Sequence, residues 1–120
     1  MMNFATKKMK IMMNWFLLIL SGCIELVFTF CLGKASKAIG IEKGIWGVSA
    51  VAAITLSIFL ISKVIKTLPL GTAYTIWSGI GTVGTVLIGI IVFKEPVSFG
   101  RLFFISTLII SIIGLKTVSA

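Results

Sequence analysis

The sequence contains no histidine, and its only carboxylate side chains are Glu25, Glu42 and Glu95. Imidazole-based metal sites are thereby excluded. No cluster of cysteines and carboxylates has ligand spacing either, so neither a metal nor any other cofactor is expected. The two cysteines, Cys23 and Cys31, lie in one apolar segment. On a helix their separation is roughly 12 Å, too far for a disulfide, and both are expected to act as small buried hydrophobes. Charge is scarce as well. Charged side chains make up 12% of 120 residues, against about a quarter in a soluble domain. Such a supply cannot cover a water-exposed surface, and no nucleophile–base pair suggests an enzyme.

What the chain has in abundance is apolar length. Hydrophobic residues make up 58% of it, with a mean hydropathy of +1.19. A membrane-spanning helix needs about 20 mostly apolar residues. Candidate spans run from Asn14 to Gly33, from Gly44 to Ser62, within Thr67 to Phe93, and from about Val97 to Leu115. Their apolar runs are continuous rather than alternating, which excludes a β-barrel. The expectation is an all-α integral membrane protein with four transmembrane helices in residues 14–120, preceded by a basic tail over residues 1–13. Short connections imply that consecutive helices run antiparallel.

Punctuation supports these limits. Lys34 and Lys37 follow the first span, Glu42 and Lys43 precede the second, and Lys63 and Lys66 close it. Pro69 opens the third span, Lys94-Glu95-Pro96 ends it, and Lys116 closes the fourth. Trp15 and Trp46 fall near expected interfaces, where indoles are enriched. The tail is either an interfacial anchor or the product of a start codon ahead of Met12 or Met13. The segment ending Leu20-Ser21-Gly22-Cys23 has the form of a lipoprotein signal, but the apolar run continues past Cys23 and three more spans follow.

A net charge of +8 raises nucleic acid as a partner. The basic residues, however, sit between apolar runs rather than on one face. Lipid headgroups explain them, and no nucleic acid is expected. With the N-terminus in the cytoplasm, Lys7, Lys8, Lys10, Lys63, Lys66 and Lys116 share that side, and Lys34, Lys37, Lys43, Lys94 and Arg101 share the other. Six against five is no clear bias. Without the tail it becomes three against five, so the sequence permits both orientations, or one that the tail decides.

The third span contains Gly79-Ile80-Gly81-Thr82-Val83-Gly84, which has the letters of a dinucleotide-binding fingerprint. That motif has meaning only after a strand in a βαβ unit, and none is expected here. Gly79, Gly81 and Gly84, with Gly22 on the first span, instead allow close helix approach or bending, and neighbouring threonines supply hydrogen bonds.

Glu25 stands near the middle of the first span, where an acidic residue costs roughly 2.5–3.5 kcal/mol even on a mild insertion scale. No span interior carries a lysine or arginine to offset it. The carboxyl must be protonated, hydrated, or paired with something from outside the chain. A desolvated carboxyl group holds a proton at a pH where one in water has lost it, and once ionised it is a counter-ion for a cation. Glu25 is therefore the expected proton and substrate ligand, the bland alternative being a neutral carboxyl bonded to another helix. Phe28 stands one turn beyond it. Tyr74, Trp77 and Ser78 share a face of the third span, and aromatic faces attract organic cations. Packing is the competing role for these two rings. Ser57 is a mid-span hydroxyl suited to orienting a carboxylate.

Glu25, the run LPLGTAYTIWSGIG from Leu68 to Gly81, Phe93-Lys94-Glu95-Pro96 and Gly114-Leu115-Lys116 occur in an order that resembles the small multidrug resistance family. The resemblance covers about Met13 to Val118. It implies a multi-pass protein of the bacterial inner membrane that assembles as an antiparallel dimer with both Glu25 side chains in one site. It also implies antiport of protons against a small organic cation, guanidinium-like or quaternary ammonium. In this reading Tyr74 and Trp77 wall the pocket, and Ser57 matches a hydroxyl that bonds the glutamate in the guanidinium-exporting branch. Phe28 and Ser78 depart from that branch, which usually has tryptophan and threonine there. These departures look more like one chain of a paired transporter, so a homodimer and a pair of homologous subunits both stay open. The competing class is an accessory membrane subunit that does not transport alone.

Overall fold

The computed structural model describes residues 3–118, and helices account for nearly all of them. In chain order they are α1 (Phe4–Lys37), α2 (Ile41–Val64), α3 (Leu70–Ile91) and α4 (Phe99–Val118). Each is long and apolar enough to cross a membrane. The expected four-span, all-α membrane architecture is the one observed.

The first helix begins earlier than the apolar run suggests. Asn3 caps it, accepting a hydrogen bond from the Thr6 amide at 2.8 Å. Lysine is a good helix former, so Lys7, Lys8 and Lys10 ride on the opening turns of α1. At about 1.5 Å per residue the 34-residue helix is about 51 Å long, against a hydrocarbon thickness of about 30 Å. Its last turn carries Lys34 and Lys37, whose charges suit the negative end of the helix dipole.

Tight connections fix the up-and-down course. Gly40, at φ +67°, takes the left-handed conformation that lets the chain reverse into α2. There Lys43 Nζ reaches back to the Ala35 carbonyl at 3.1 Å. Pro69 precedes α3, as expected. After α3, Lys94 adopts φ +56°, and the Glu95 amide folds back on the Gly89 carbonyl at 2.9 Å. Ser98 Oγ accepts the Arg101 amide at 3.1 Å and opens α4.

Contacts between helices set their register. The Asn14 amide bonds Thr67 Oγ1 at one end of the α1–α2 pair, and Phe30 meets Trp46 edge-on at 5.9 Å at the other, so the two helices are antiparallel. Against α3 the order rises on both sides: Gly22 faces Ile80, Leu26 covers Gly84, and Gly33 faces Phe93. Thus α1 and α3 are parallel, with α1 between α2 and α3. Glycines let these backbones approach, because a Cβ at Gly22 would stand 2.8 Å from Ile80 Cγ2, and one at Gly84 would overlap Leu26. Gly79 plays the same part toward Ile112 of α4.

Leu18, Ile61, Val64, Ala73 and Ile76 form the buried core, with Trp15, Trp77, Ile80 and Ile112 packed around it. No residue of α4 is buried, and Leu102, Phe104, Ile110 and Ile113 are open. Cys31 is buried as expected, but Cys23 is exposed, because α1 turns that position away from both neighbouring helices.

Candidate functional site

Two helical stripes build the site. On α1, Glu25 and Thr29 are one turn apart, and on α3 the positions of Tyr74, Trp77, Ser78, Gly81, Thr82 and Thr85 recur at helical spacing. Parallel packing brings the middle of one stripe to the middle of the other. The Glu25 carboxylate lies directly on the α3 backbone at Gly81, where a Cβ would overlap it. Glu25 Oε2 is buried and has no hydrogen-bond partner. The ion pair found among the described residues joins Arg101 and Glu95 at 2.7 Å, away from this carboxylate.

Around Glu25 an open cleft of about 270 Å³ is lined by Thr29, Gly81, Thr82, Thr85 and Val86. Thr85 Oγ1 donates to Thr29 Oγ1 at 3.0 Å, which ties the two helices together beside the acid. Thr29 and Thr85 also line a second cavity of about 240 Å³, with Ser36, Lys37, Phe93 and Glu95 at its far end. This cavity leads from the mid-membrane acid toward the end where α1 and α3 finish. There Lys34 and Lys37 stand over the Phe93 ring, at 5.9 and 5.0 Å from its centre.

The aromatic residues form a separate cluster nearer the start of α3. Tyr74 and Trp77 pack with ring centres 5.7 Å apart, and Tyr74 is exposed. The indole Nε1 of Trp77 donates to Ser57 Oγ at 2.9 Å, and the fully buried Ser57 donates to the Ser21 carbonyl at 2.6 Å. Ser57 thus spends its hydrogen on the α1 backbone, not on Glu25, and acts as a bracket for the Trp77 ring. Ser78 is half-buried and offers its carbonyl to Thr82 Oγ1 at 2.8 Å. Phe28 is half-buried and does not line the cleft.

Of the residues singled out in the sequence, Glu25 and Gly81 meet directly, whereas Tyr74, Trp77 and Ser57 meet one another. Thr29, Thr82 and Thr85 complete the surroundings of the acid, although sequence reasoning gave the α3 threonines only a packing role. The available signal was their place on the same stripe as Trp77 and Gly81.

Four helices that are each long and apolar enough to cross a membrane define a multi-pass membrane protein. The sequence itself matches the model of the Small Multidrug Resistance protein family over residues 13–109. The chain is also 37% identical over 109 residues to a probable guanidinium efflux system subunit, GdnD, of Bacillus subtilis, covering 90% of this chain and 100% of that one. A guanidinium exporter of Yersinia pseudotuberculosis is 36% identical over 107 residues, covering 89% and 100%. One of Salmonella typhimurium is 36% identical over 104 residues, covering 87% and 96%. The chain belongs to the small multidrug resistance family, and is a multi-pass transporter of the bacterial inner membrane.

Proposed function

We propose that this chain exports a small organic cation, of guanidinium or quaternary ammonium type, in exchange for protons, with Glu25 holding each in turn. One observation carries the reading. Glu25 Oε2 is buried and has no partner of its own, and Glu25 lines an open cleft. A permanently paired acid has nothing to exchange, whereas an unpaired one in apolar surroundings favours whichever positive species arrives. Proton and cation compete for the same oxygens, so loading one expels the other. The names of the relatives support guanidinium as the cargo.

The working unit is an antiparallel dimer, in which two Glu25 side chains face one site and titrate as a coupled pair. An α4 with no buried residue and the exposed Tyr74 support a protomer that is completed by a second chain. That chain is either another copy or a homologous subunit of opposite orientation. The word subunit in the name of the Bacillus relatives supports the latter.

The test is direct. Addition of guanidinium to the purified protein at fixed pH should release protons, and Glu25→Gln should abolish both that release and transport in liposomes. Unchanged proton occupancy on cation binding would sink the exchange mechanism. Transport that appears only after co-reconstitution with a homologous chain would identify an obligate pair, and transport by this chain alone would exclude a purely accessory role.

A further inference from the structure

Three threonines around Glu25 have their hydrogens committed inside the protein. Thr29 Oγ1 donates to the Leu26 carbonyl at 3.0 Å, Thr82 Oγ1 to the Ser78 carbonyl at 2.8 Å, and Thr85 Oγ1 to Thr29 Oγ1 at 3.0 Å. A hydroxyl has one hydrogen to give and two lone pairs to receive with. Thr82 and Thr85 therefore each keep both lone pairs, and Thr29 keeps one. All three line the cleft together with Glu25, whose buried Oε2 has no hydrogen-bond partner. The side chains that bring polar atoms to this cleft consequently present acceptors and no free donor. Val86 and Gly81 complete the wall without adding a side-chain donor.

We infer that Thr29, Thr82 and Thr85 form an acceptor ledge that makes this transporter selective for cations bearing N–H groups over cations sheathed in alkyl groups. The inference rests on the reading of Glu25 as the cation ligand. A planar guanidinium cation presents N–H donors around its whole edge. While one edge pairs with the carboxylate, another can reach the threonine oxygens, which need not rearrange to receive it. A quaternary ammonium ion has no N–H. It would desolvate the same oxygens and give them nothing in return. Its attraction to the carboxylate is unaffected by the hydroxyls, so the ledge acts on the ratio between cation classes and not on cation binding as such.

The assignment separates two walls of the site. The stripe on α3 has an aromatic half at Tyr74 and Trp77 and a hydroxyl half at Thr82 and Thr85, with Gly81 and the Glu25 carboxylate between them. From Tyr74 to Thr85 the stripe extends about 16 Å. An alkylated cation is served by the aromatic half, and an N–H cation by the hydroxyl half.

The test compares guanidinium with tetraethylammonium by calorimetric titration of the full chain, purified as the oligomer it forms in the membrane. Replacing threonine by valine removes the hydroxyl and keeps the shape. In a protein carrying T29V, T82V and T85V, guanidinium affinity should fall about tenfold or more, with tetraethylammonium affinity unchanged or raised. Serine at the same three positions should restore the wild-type ratio, which separates loss of the hydroxyl from damage to packing. An unchanged ratio in the valine protein, or equal losses for both cations that serine does not repair, overturns the ledge. Retention of guanidinium binding by Glu25→Gln, or wild-type protein that holds no guanidinium, instead overturns the Glu25 reading, and the ledge with it.

Discussion

The Glu25 carboxylate rests on the backbone of Gly81, so that the acid of α1 occupies the volume a side chain on α3 would need. This contact explains why a glycine stands at the centre of the α3 stripe. A methyl group at Gly81 meets the mobile end of a glutamate, not backbone, so the fold can adjust while the carboxylate must move. Gly81→Ala is therefore expected to cost less than about 1 kcal/mol of stability, yet to lower transport at least tenfold by displacing the oxygens from their cleft. Thermal unfolding in detergent and uptake into liposomes measure the two quantities separately. Loss of folding in step with loss of transport would refute this account.

A second prediction concerns Ser57. Because Trp77 donates to it and it donates to the Ser21 carbonyl, Ser57 joins α1, α2 and α3 in one buried chain of hydrogen bonds. Ser57→Ala removes both bonds and strands the indole N–H. The expected cost is about 1–3 kcal/mol, with a change in tryptophan fluorescence as the Trp77 ring loses its tether. Glu25-dependent proton release should survive, since no bond joins Ser57 to the acid in this protomer. Abolition of proton release with unchanged stability would instead make Ser57 a direct partner of Glu25.

That serine marks the limit of what the linear sequence reveals. Four continuous apolar runs disclose four spans because hydrocarbon leaves the backbone few alternatives. Glu25 is legible because it is the one carboxylate inside a span, with no basic mate in the chain. The destination of a hydroxyl is different, since Ser57 sits within reach of several acceptors and only the register of α2 against α1 and α3 selects among them. Thr82 and Thr85 were hidden for a related reason: membrane helices commonly use threonine for packing, and only the nearby carboxylate distinguishes these two. The early start of α1 was concealed by three lysines, which look like a tail although they favour helix.

A third prediction tests the turn between α3 and α4. Lys94 holds φ +56°, a conformation that costs a residue with a Cβ about 1–2 kcal/mol. Lys94→Gly relieves that cost but admits more freedom to the unfolded chain. A net gain of up to about 1 kcal/mol is expected, read as a higher midpoint of thermal unfolding. Lys94→Ala keeps the Cβ and should bring no comparable gain. Equal gains from alanine and glycine would show that the lysine charge, not the backbone, is the source.

Orientation supplies the last prediction. The ends of the bundle are chemically distinct: Lys116 lies over Trp15 at one end, with its Nζ 5.5 Å from the ring centre, while Lys34 and Lys37 lie over Phe93 at the other. Lys7, Lys8 and Lys10 lie in the opening turns of α1, on the Trp15 side of the bundle. They turn a deficit of three against five basic residues into six against five. Positive charge is retained on the cytoplasmic side, so these three lysines are expected to bias which way the chain inserts. Glutamine at all three positions preserves helix and removes the charge. Wild-type protein should then place its termini in the cytoplasm more often than the variant, in which the inverted form should predominate. Reporter fusions to the C-terminus read the outcome, because an even number of spans puts both termini on one side. If the two proteins insert alike, the deciding charges lie elsewhere, and the basic residues of the opposite end, Lys34, Lys37, Lys43, Lys94 and Arg101, are the next place to look.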